Sequence, residues 1–170
     1  MKYFLPALII LLCIFSCNSN TVNNPKTADP AVYEAVFNDT DMNAAMAKAK
    51  STFGQFDAAF KKNKPDSGSA AIKLKFNATN NLENVTTEYI WASGITFENG
   101  NYYGIMDLPH FTTEVKEGQK VKINADNVAD WMYAENDTLR GGYTIRATRN
   151  KMTEQERVHF DYVYLYKIQN

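Results

Sequence analysis

The residues best suited to form a binding site lie within positions 118–146, where an acidic residue and three large polar or aromatic side chains border two predicted strands. Trp, Tyr and Arg are favoured at binding hot spots because they bury a large area and still offer a polar group. We therefore expect these side chains to converge on the rim of a binding surface. The candidate binding residues are Asp130, Trp131, Arg140 and Tyr143.

The same residues have a structural interpretation, and the sequence leaves both open. Trp131, like Trp91, lies in a predicted strand and would then be a core residue. Asp130 would accept backbone N–H bonds at the end of its strand, and Arg140 or Arg146 would pair with Asp130 or with Glu88. The exposure of Trp131 decides between the two interpretations, because a buried tryptophan cannot line a rim.

Patterns typical of catalysis are absent from the sequence. The chain has two histidines, His110 and His159, and a lone histidine is more often a surface or packing residue than a catalyst. No paired metal histidines, glycine-rich phosphate loop or nucleophile elbow occurs. We therefore predict no catalytic residue, no metal and no cofactor, and the sequence favours a protein that is not an enzyme.

The chemistry of the N-terminus centres on Cys17, which ends the motif IFSC at residues 14–17. An aliphatic residue at −3 and a small residue at −1 before a cysteine resemble the lipobox of bacterial lipoproteins. The apolar run 4–15 follows a lysine and has the layout of a secretory signal. It is shorter than the roughly 20 residues that span a bilayer. We therefore predict cleavage before Cys17 and its acylation, for example with palmitate.

These features predict how the chain is divided. Residues 1–16 would be the signal peptide, residues 17–29 the lipidated cysteine and a flexible polar tether, and residues 30–170 one globular domain. The protein is then expected in the bacterial cell envelope, anchored to the membrane through its lipid and facing the periplasm or the exterior. Asn18, by its resemblance to sorting signals, favours the outer membrane. A net charge of −1 gives no electrostatic reason to expect a nucleic-acid partner.

The elements that must position the candidate residues begin with a long helix. Apolar residues recur every three or four positions over residues 41–62, and Asp39 or Asp41 can cap the start. Apolar residues then alternate with polar ones, which is typical of strands with one buried face. The predicted strands are 72–76, 88–97, 102–106, 121–123, 128–133 and 143–148.

Two local motifs sharpen this prediction. Asn99-Gly100 predicts a type I′ hairpin turn, because both residues tolerate positive φ. Thr153 with Glu156 predicts the capping box of a shorter helix. The order of elements favours an α+β fold: one long N-terminal helix packed on a twisted antiparallel sheet of about five to six short strands, with a shorter C-terminal helix. The last stretch, residues 162–168, fits helix or strand.

A family resemblance rests on motifs spread over most of the chain. These are EYIW at 88–91, then Gly104, Pro109 and Gly118, then DWM at 130–132 and GGYTIR at 141–146. In their order and spacing they resemble the YegJ-like domain of unknown function (the DUF2314 family) over residues 38–160. The resemblance implies no established activity. It associates some members, as accessory or immunity-type proteins, with secreted toxin systems.

Three classes of function follow from these observations. The favoured one is an envelope lipoprotein that acts as a non-enzymatic protein-binding or inhibitory module, of the immunity type, with a protein partner in the envelope. The alternative is a lipoprotein that binds a small ligand or a glycan, which exposed Trp and Tyr side chains would favour. An enzyme that uses carboxylates such as Glu88 or Asp130 ranks third. The sequence predicts no oligomeric state.

Overall fold

The computed structural model describes residues 39–66, 68–78 and 86–169. The predicted signal peptide, the lipidated Cys17 and the tether all lie outside the described residues. None of the helices in the described part of the chain has the length and apolarity that crossing a membrane requires. The described elements are three α-helices, a short 3₁₀ helix at Ala125–Asn127 and a six-stranded sheet.

Helix α1, Thr40–Phe60, follows its predicted position closely. The Asp39 carboxylate caps it by accepting the backbone N–H of Asp41 at 2.8 Å. The predicted apolar stripe is its buried face, which includes Ala49 and Phe56. With 21 residues, α1 begins at residue 40 of the chain, so it is not the N-terminal element that the sequence predicted.

The strands form one antiparallel sheet in the order β4-β3-β2-β1-β5-β6. Their bounds are β1 Ala71–Asn77, β2 Thr87–Glu98, β3 Asn101–Met106, β4 Lys120–Lys122, β5 Val128–Glu135 and β6 Thr138–Gly141. Asn99 and Gly100 both have positive φ, 49° and 79°, between β2 and β3. The α+β class, the antiparallel sheet and this hairpin are therefore confirmed.

The core lies between α1 and one face of the sheet. Phe56 is fully buried, and its ring lies 6.0 Å from that of Trp131 on β5 and 5.7 Å from that of Tyr102 on β3. Ile72 and Leu74 on β1 are buried in the same cluster. Aromatic rings thus fill the space between helix and sheet, where each buries a large apolar area.

The end of the chain differs from the prediction. Residues 143–148 were expected as a strand, but helix α2 spans Tyr143–Lys151. The strand of this region is β6, and it ends at Gly141 and Gly142, which have φ of 66° and 62°. The β-branched residues of this segment led to the prediction of a strand. The structure forms a helix instead, because a side chain of β5 caps its start, as described below.

Helix α3, Glu154–Val163, begins at the predicted capping box. Thr153 and Glu156 bond each other's backbone N–H groups, as that motif requires. The prediction of one short C-terminal helix is wrong in number, because α2 and α3 are separate helices. After α3 the chain runs along β6, where the Lys167 carbonyl accepts the N–H of Leu139 at 2.9 Å.

Candidate functional site

Asp130 is fully buried on β5 and accepts four hydrogen bonds. Its Oδ1 accepts the backbone N–H groups of Trp131 at 2.8 Å and Tyr143 at 3.2 Å. Its Oδ2 accepts the backbone N–H and the hydroxyl of Thr144, both at 2.7 Å. The N-cap residue of α2, Gly142, has no side chain to cap the helix. A carboxylate from a neighbouring strand therefore satisfies the free N–H groups at the start of α2.

A lysine lies beside this carboxylate. Lys73 on β1 donates to the Thr144 hydroxyl oxygen at 2.9 Å, and that hydroxyl in turn donates to Asp130. Burial raises the pKa of Asp130 and lowers that of Lys73, and in each case the charge of the other residue opposes the shift. The three residues form a chain of hydrogen bonds between β1, β5 and α2.

This buried cluster is arranged for stability rather than for catalysis. Thr144 is only 2% exposed and its hydroxyl proton is committed to Asp130. Two cavities of about 190 and 210 Å³ are lined by other residues. A raised carboxylate pKa would support acid catalysis only where a substrate can reach the group.

Trp131 belongs to the core. It is 2% exposed, its indole N–H donates to the Ala49 carbonyl of α1 at 3.0 Å, and its ring packs against Phe56 and Tyr143. Its burial removes Trp131 from any ligand rim, and Asp130 is equally inaccessible. The structural interpretation of these two residues is the one that the geometry supports.

The other two candidate residues do not complete a rim. Arg140 is exposed and pairs with Glu135 across the β5–β6 hairpin, with 3.2 Å between Nε and Oε2. Tyr143 is half-buried, and its hydroxyl oxygen accepts the hydroxyl of Thr52 on α1 at 3.1 Å. The four candidates are neighbours in the fold, but they point into different environments.

Glu88 has a structural role of a similar kind. It is buried, and its carboxylate accepts the backbone N–H groups of His110, Phe111 and Thr112 at 2.6, 2.9 and 2.7 Å. These bonds tie the loop after β3 to β2. The donors of these bonds are backbone N–H groups, so the predicted pair between Glu88 and an arginine is not one of them. Within the described residues, no group of three or more His, Asp or Glu side chains is placed to hold a metal ion.

The structure reveals a surface that the sequence prediction missed. Directly paired strand residues share a face, so the register of β1 to β4 places one set of side chains on the side of the sheet away from Phe56. We call this surface the open face. It comprises Lys73, Lys75, Tyr89, Trp91, Ser93, Tyr103, Ile105, Lys120 and Lys122.

The open face combines half-buried aromatic rings with three exposed lysines, Lys75, Lys120 and Lys122, whereas Lys73 is half-buried. Lys73 Nζ lies 4.9 Å from the Trp91 ring centroid, and Lys120 Nζ lies 5.0 Å from that of Tyr103. Ile105 is 38% exposed between them. Lys120 also pairs with Glu98 at 2.9 Å. The face is therefore basic and partly apolar, although the chain as a whole carries a net charge of −1.

One sequence signal could have found this surface. Lys73 and Lys75 alternate with buried apolar residues on β1, which predicts a solvated face. The sequence does not show that Trp91 joins that face, because this depends on the pairing of β2 with β1. Trp91 pairs with Lys73, so the expectation that it is a core residue is corrected: it is half-buried on the open face.

The fold and its buried anchors define the class: a small α+β domain with one long helix on one face of a six-stranded antiparallel sheet. Within that class the chain belongs to the DUF2314 family, described as an uncharacterized protein conserved in bacteria, which matches residues 39–164. The predicted resemblance is thereby confirmed.

Two relatives extend this finding. A protein of Neisseria meningitidis serogroup B, whose name calls it an ankyrin repeat protein, is 30% identical over 138 residues, 78% of this chain and 54% of its own. The uncharacterized protein YegJ of Escherichia coli K12 is 34% identical over 84 residues, 49% of this chain and 52% of its own. The match thus spans about half the length of each relative. No solved structure matches the chain.

Proposed function

We propose that this domain is a non-enzymatic protein-binding module whose open face holds an acidic segment of a partner protein in the bacterial envelope. The observation that carries the proposal is the set of three exposed lysines, Lys75, Lys120 and Lys122, around half-buried aromatic rings and the exposed Ile105. A partner surface rich in Asp and Glu complements this charge, and complementary charge favours both encounter and specificity.

The chemistry of the open face favours a protein over the alternatives. Aromatic rings beside cations bury a large area at low entropic cost, as in protein interfaces. A small ligand needs a concave site of roughly 300–1,000 Å³, whereas the cavities of about 190 and 210 Å³ are smaller, and neither is lined by residues of the open face. Catalysis by Glu88 or Asp130 is disfavoured because both carboxylates are buried and occupied by N–H donors.

Photo-crosslinking in intact cells tests the proposal. A photoreactive residue replaces Ser93, which is exposed on the open face and pairs with Ile105. We expect a crosslink to one protein, within a segment that mass spectrometry shows to be rich in Asp and Glu. The same residue at Lys62, exposed beyond the end of α1, is the matched control and should give no such product. A product that carries glycan, or a segment without acidic excess, would contradict the proposal.

Charge reversal provides the quantitative prediction. Lys75→Glu should lower the yield of the Ser93 crosslink by about tenfold, because one favourable pair becomes a repulsive one, and about 1.4 kcal/mol corresponds to that factor. Raising the salt concentration should lower the yield of the unmodified chain in the same direction. Lys62→Glu serves as the control and should leave the yield unchanged. An equal loss in both variants would argue against a specific basic site.

The envelope location is part of the proposal and rests on the N-terminal sequence. We expect Cys17 to be labelled by fatty acid and the protein to fractionate with membranes. Cys17→Ala should abolish the label and release the protein from the membrane fraction, whereas Cys13→Ala should leave both unchanged. A Cys17→Ala protein that stays in the membrane, with neither form labelled, would show that the lipid-anchor prediction is wrong.

A further inference from the structure

A second uncovered surface lies on helix α3 and the residues that follow it. We call it the C-terminal patch, and it consists of Val158, Tyr162, Val163 and Leu165, which are 65%, 87%, 55% and 84% exposed. Val158 and Tyr162 are four residues apart, so they lie on one face of the helix. Neighbouring exposed apolar side chains of this kind mark a contact surface.

A polar atom on the same helix also lacks a partner. The Nε of Arg157 is buried and has no hydrogen-bond acceptor among the described residues, although another guanidinium nitrogen donates to the Met152 carbonyl at 3.3 Å. Buried N–H donors are nearly always satisfied, so an acceptor is expected to approach Arg157. The helix is thus incomplete in both its apolar and its polar contacts.

The described chain begins close to this helix. The carboxylate of Asp39 forms an ion pair with Lys151, the last residue of α2, and α3 begins at Glu154. Residues 31–38 immediately precede Asp39. Eight residues can reach about 26 Å when extended, which exceeds the roughly 15 Å length of α3. These residues can therefore reach the C-terminal patch.

The composition of residues 31–38 differs from that of the polar stretch before them. Their sequence is AVYEAVFN, with Val32 and Val36 four residues apart and Tyr33 and Phe37 likewise, around the single charge of Glu34. Such a cluster of large apolar side chains gains free energy by burial and is atypical of a tether. The family match begins only at residue 39, so this cluster lies outside it.

We propose that residues 31–38 dock on the C-terminal patch of the same chain, with Tyr33 and Phe37 covering Val158 and Tyr162 and Glu34 accepting the Nε–H of Arg157. The attachment through Asp39 keeps the segment at a high local concentration, which favours it over a second copy. Glu154, Glu156 and Asp161 make α3 acidic, which disfavours an anionic lipid surface. The folded unit then begins near residue 31.

Photo-crosslinking of the full chain tests this inference. A photoreactive phenylalanine analogue in place of Tyr162, which is 87% exposed, should crosslink within its own chain to residues 31–38 at every protein concentration. The same analogue at Lys75 on the open face is the control and should not reach that segment. Crosslinks between chains, to lipid, or to other parts of the chain would each overturn the proposal.

Substitutions within the segment make the test quantitative. Tyr33→Ser with Phe37→Ser should lower the intrachain yield at least about tenfold, because burying even one aromatic side chain exceeds the free energy that corresponds to this factor. Thr21→Ser with Thr27→Ser, in the polar stretch, is the matched control and should leave the yield unchanged. An unchanged yield in the Tyr33 and Phe37 variant would overturn the proposal. The outcome is independent of partner binding at the open face.

Discussion

Trp131→Ala should lower the free energy of unfolding by about 3–5 kcal/mol, the range for removing a large buried aromatic side chain. The substitution leaves a cavity between α1 and β5 and deprives the Ala49 carbonyl of its indole donor at 3.0 Å. Urea unfolding followed by circular dichroism measures the loss. For a small domain it lowers the urea midpoint by about 1 M or more, since the slope is about 1–3 kcal/mol per M.

Trp91→Ala is the matched control, because it removes the same kind of side chain from the opposite face. Trp91 is half-buried and contacts Lys73 through its ring, so we expect a loss of about 1 kcal/mol, typical of a single substitution. The same variant should strongly reduce the Ser93 crosslink while the domain stays folded. Equal destabilisation by the two substitutions would contradict the assignment of Trp131 to the core and Trp91 to the open face.

Asp130→Ala should also lower the free energy of unfolding by roughly 3–5 kcal/mol. It removes the carboxylate from a buried hydrogen-bond network and leaves the partners of that carboxylate unpaired. The N–H groups of Tyr143 and Thr144 lose their acceptor at the start of α2, and Lys73 keeps a buried charge without its neighbouring carboxylate. Amide hydrogen exchange should become faster in α2 before it does so in the rest of the domain. Urea unfolding should show the loss of global stability.

Asp126→Ala is the control for this prediction, because Asp126 is exposed and such positions usually change stability by less than about 0.5 kcal/mol. A double-mutant cycle of Asp130→Ala with Thr144→Val separates the shared hydrogen bond from other effects. We expect a coupling of about 0.5–3 kcal/mol, the range for residues in one network. Fully additive losses would show that the Thr144 hydroxyl does not act together with the Asp130 carboxylate.

The two buried carboxylates also explain why the sequence suggested a site that the structure does not form. Asp130 is followed by Trp131 and Glu88 by Tyr89, and an acidic residue beside an aromatic one is found in binding sites and in buried anchors alike. In the fold each carboxylate accepts backbone N–H groups from a distant segment, the start of α2 or the loop after β3. Position in the sequence alone does not distinguish these two uses of an acidic residue.

Elements that depend on neighbours in sequence were predictable from sequence. The apolar stripe and the Asp39 cap define α1, Asn99-Gly100 defines the β2–β3 turn, and Thr153 with Glu156 starts α3. Each depends on contacts within a few residues, such as capping bonds or the positive φ that Asn and Gly tolerate. Family membership was predictable too, because its motifs are patterns of residue type and spacing.

What only the tertiary structure decided depends on contacts between distant segments. Ile72 pairs with Trp131 and Lys73 pairs with Trp91, and adjacent strand residues point to opposite faces. The register of two strand pairs therefore places one tryptophan in the core and the other on the open face, although both lie in similar strands. Helix α2 is capped by a carboxylate 13 and 14 residues away, so its local sequence favoured the wrong element.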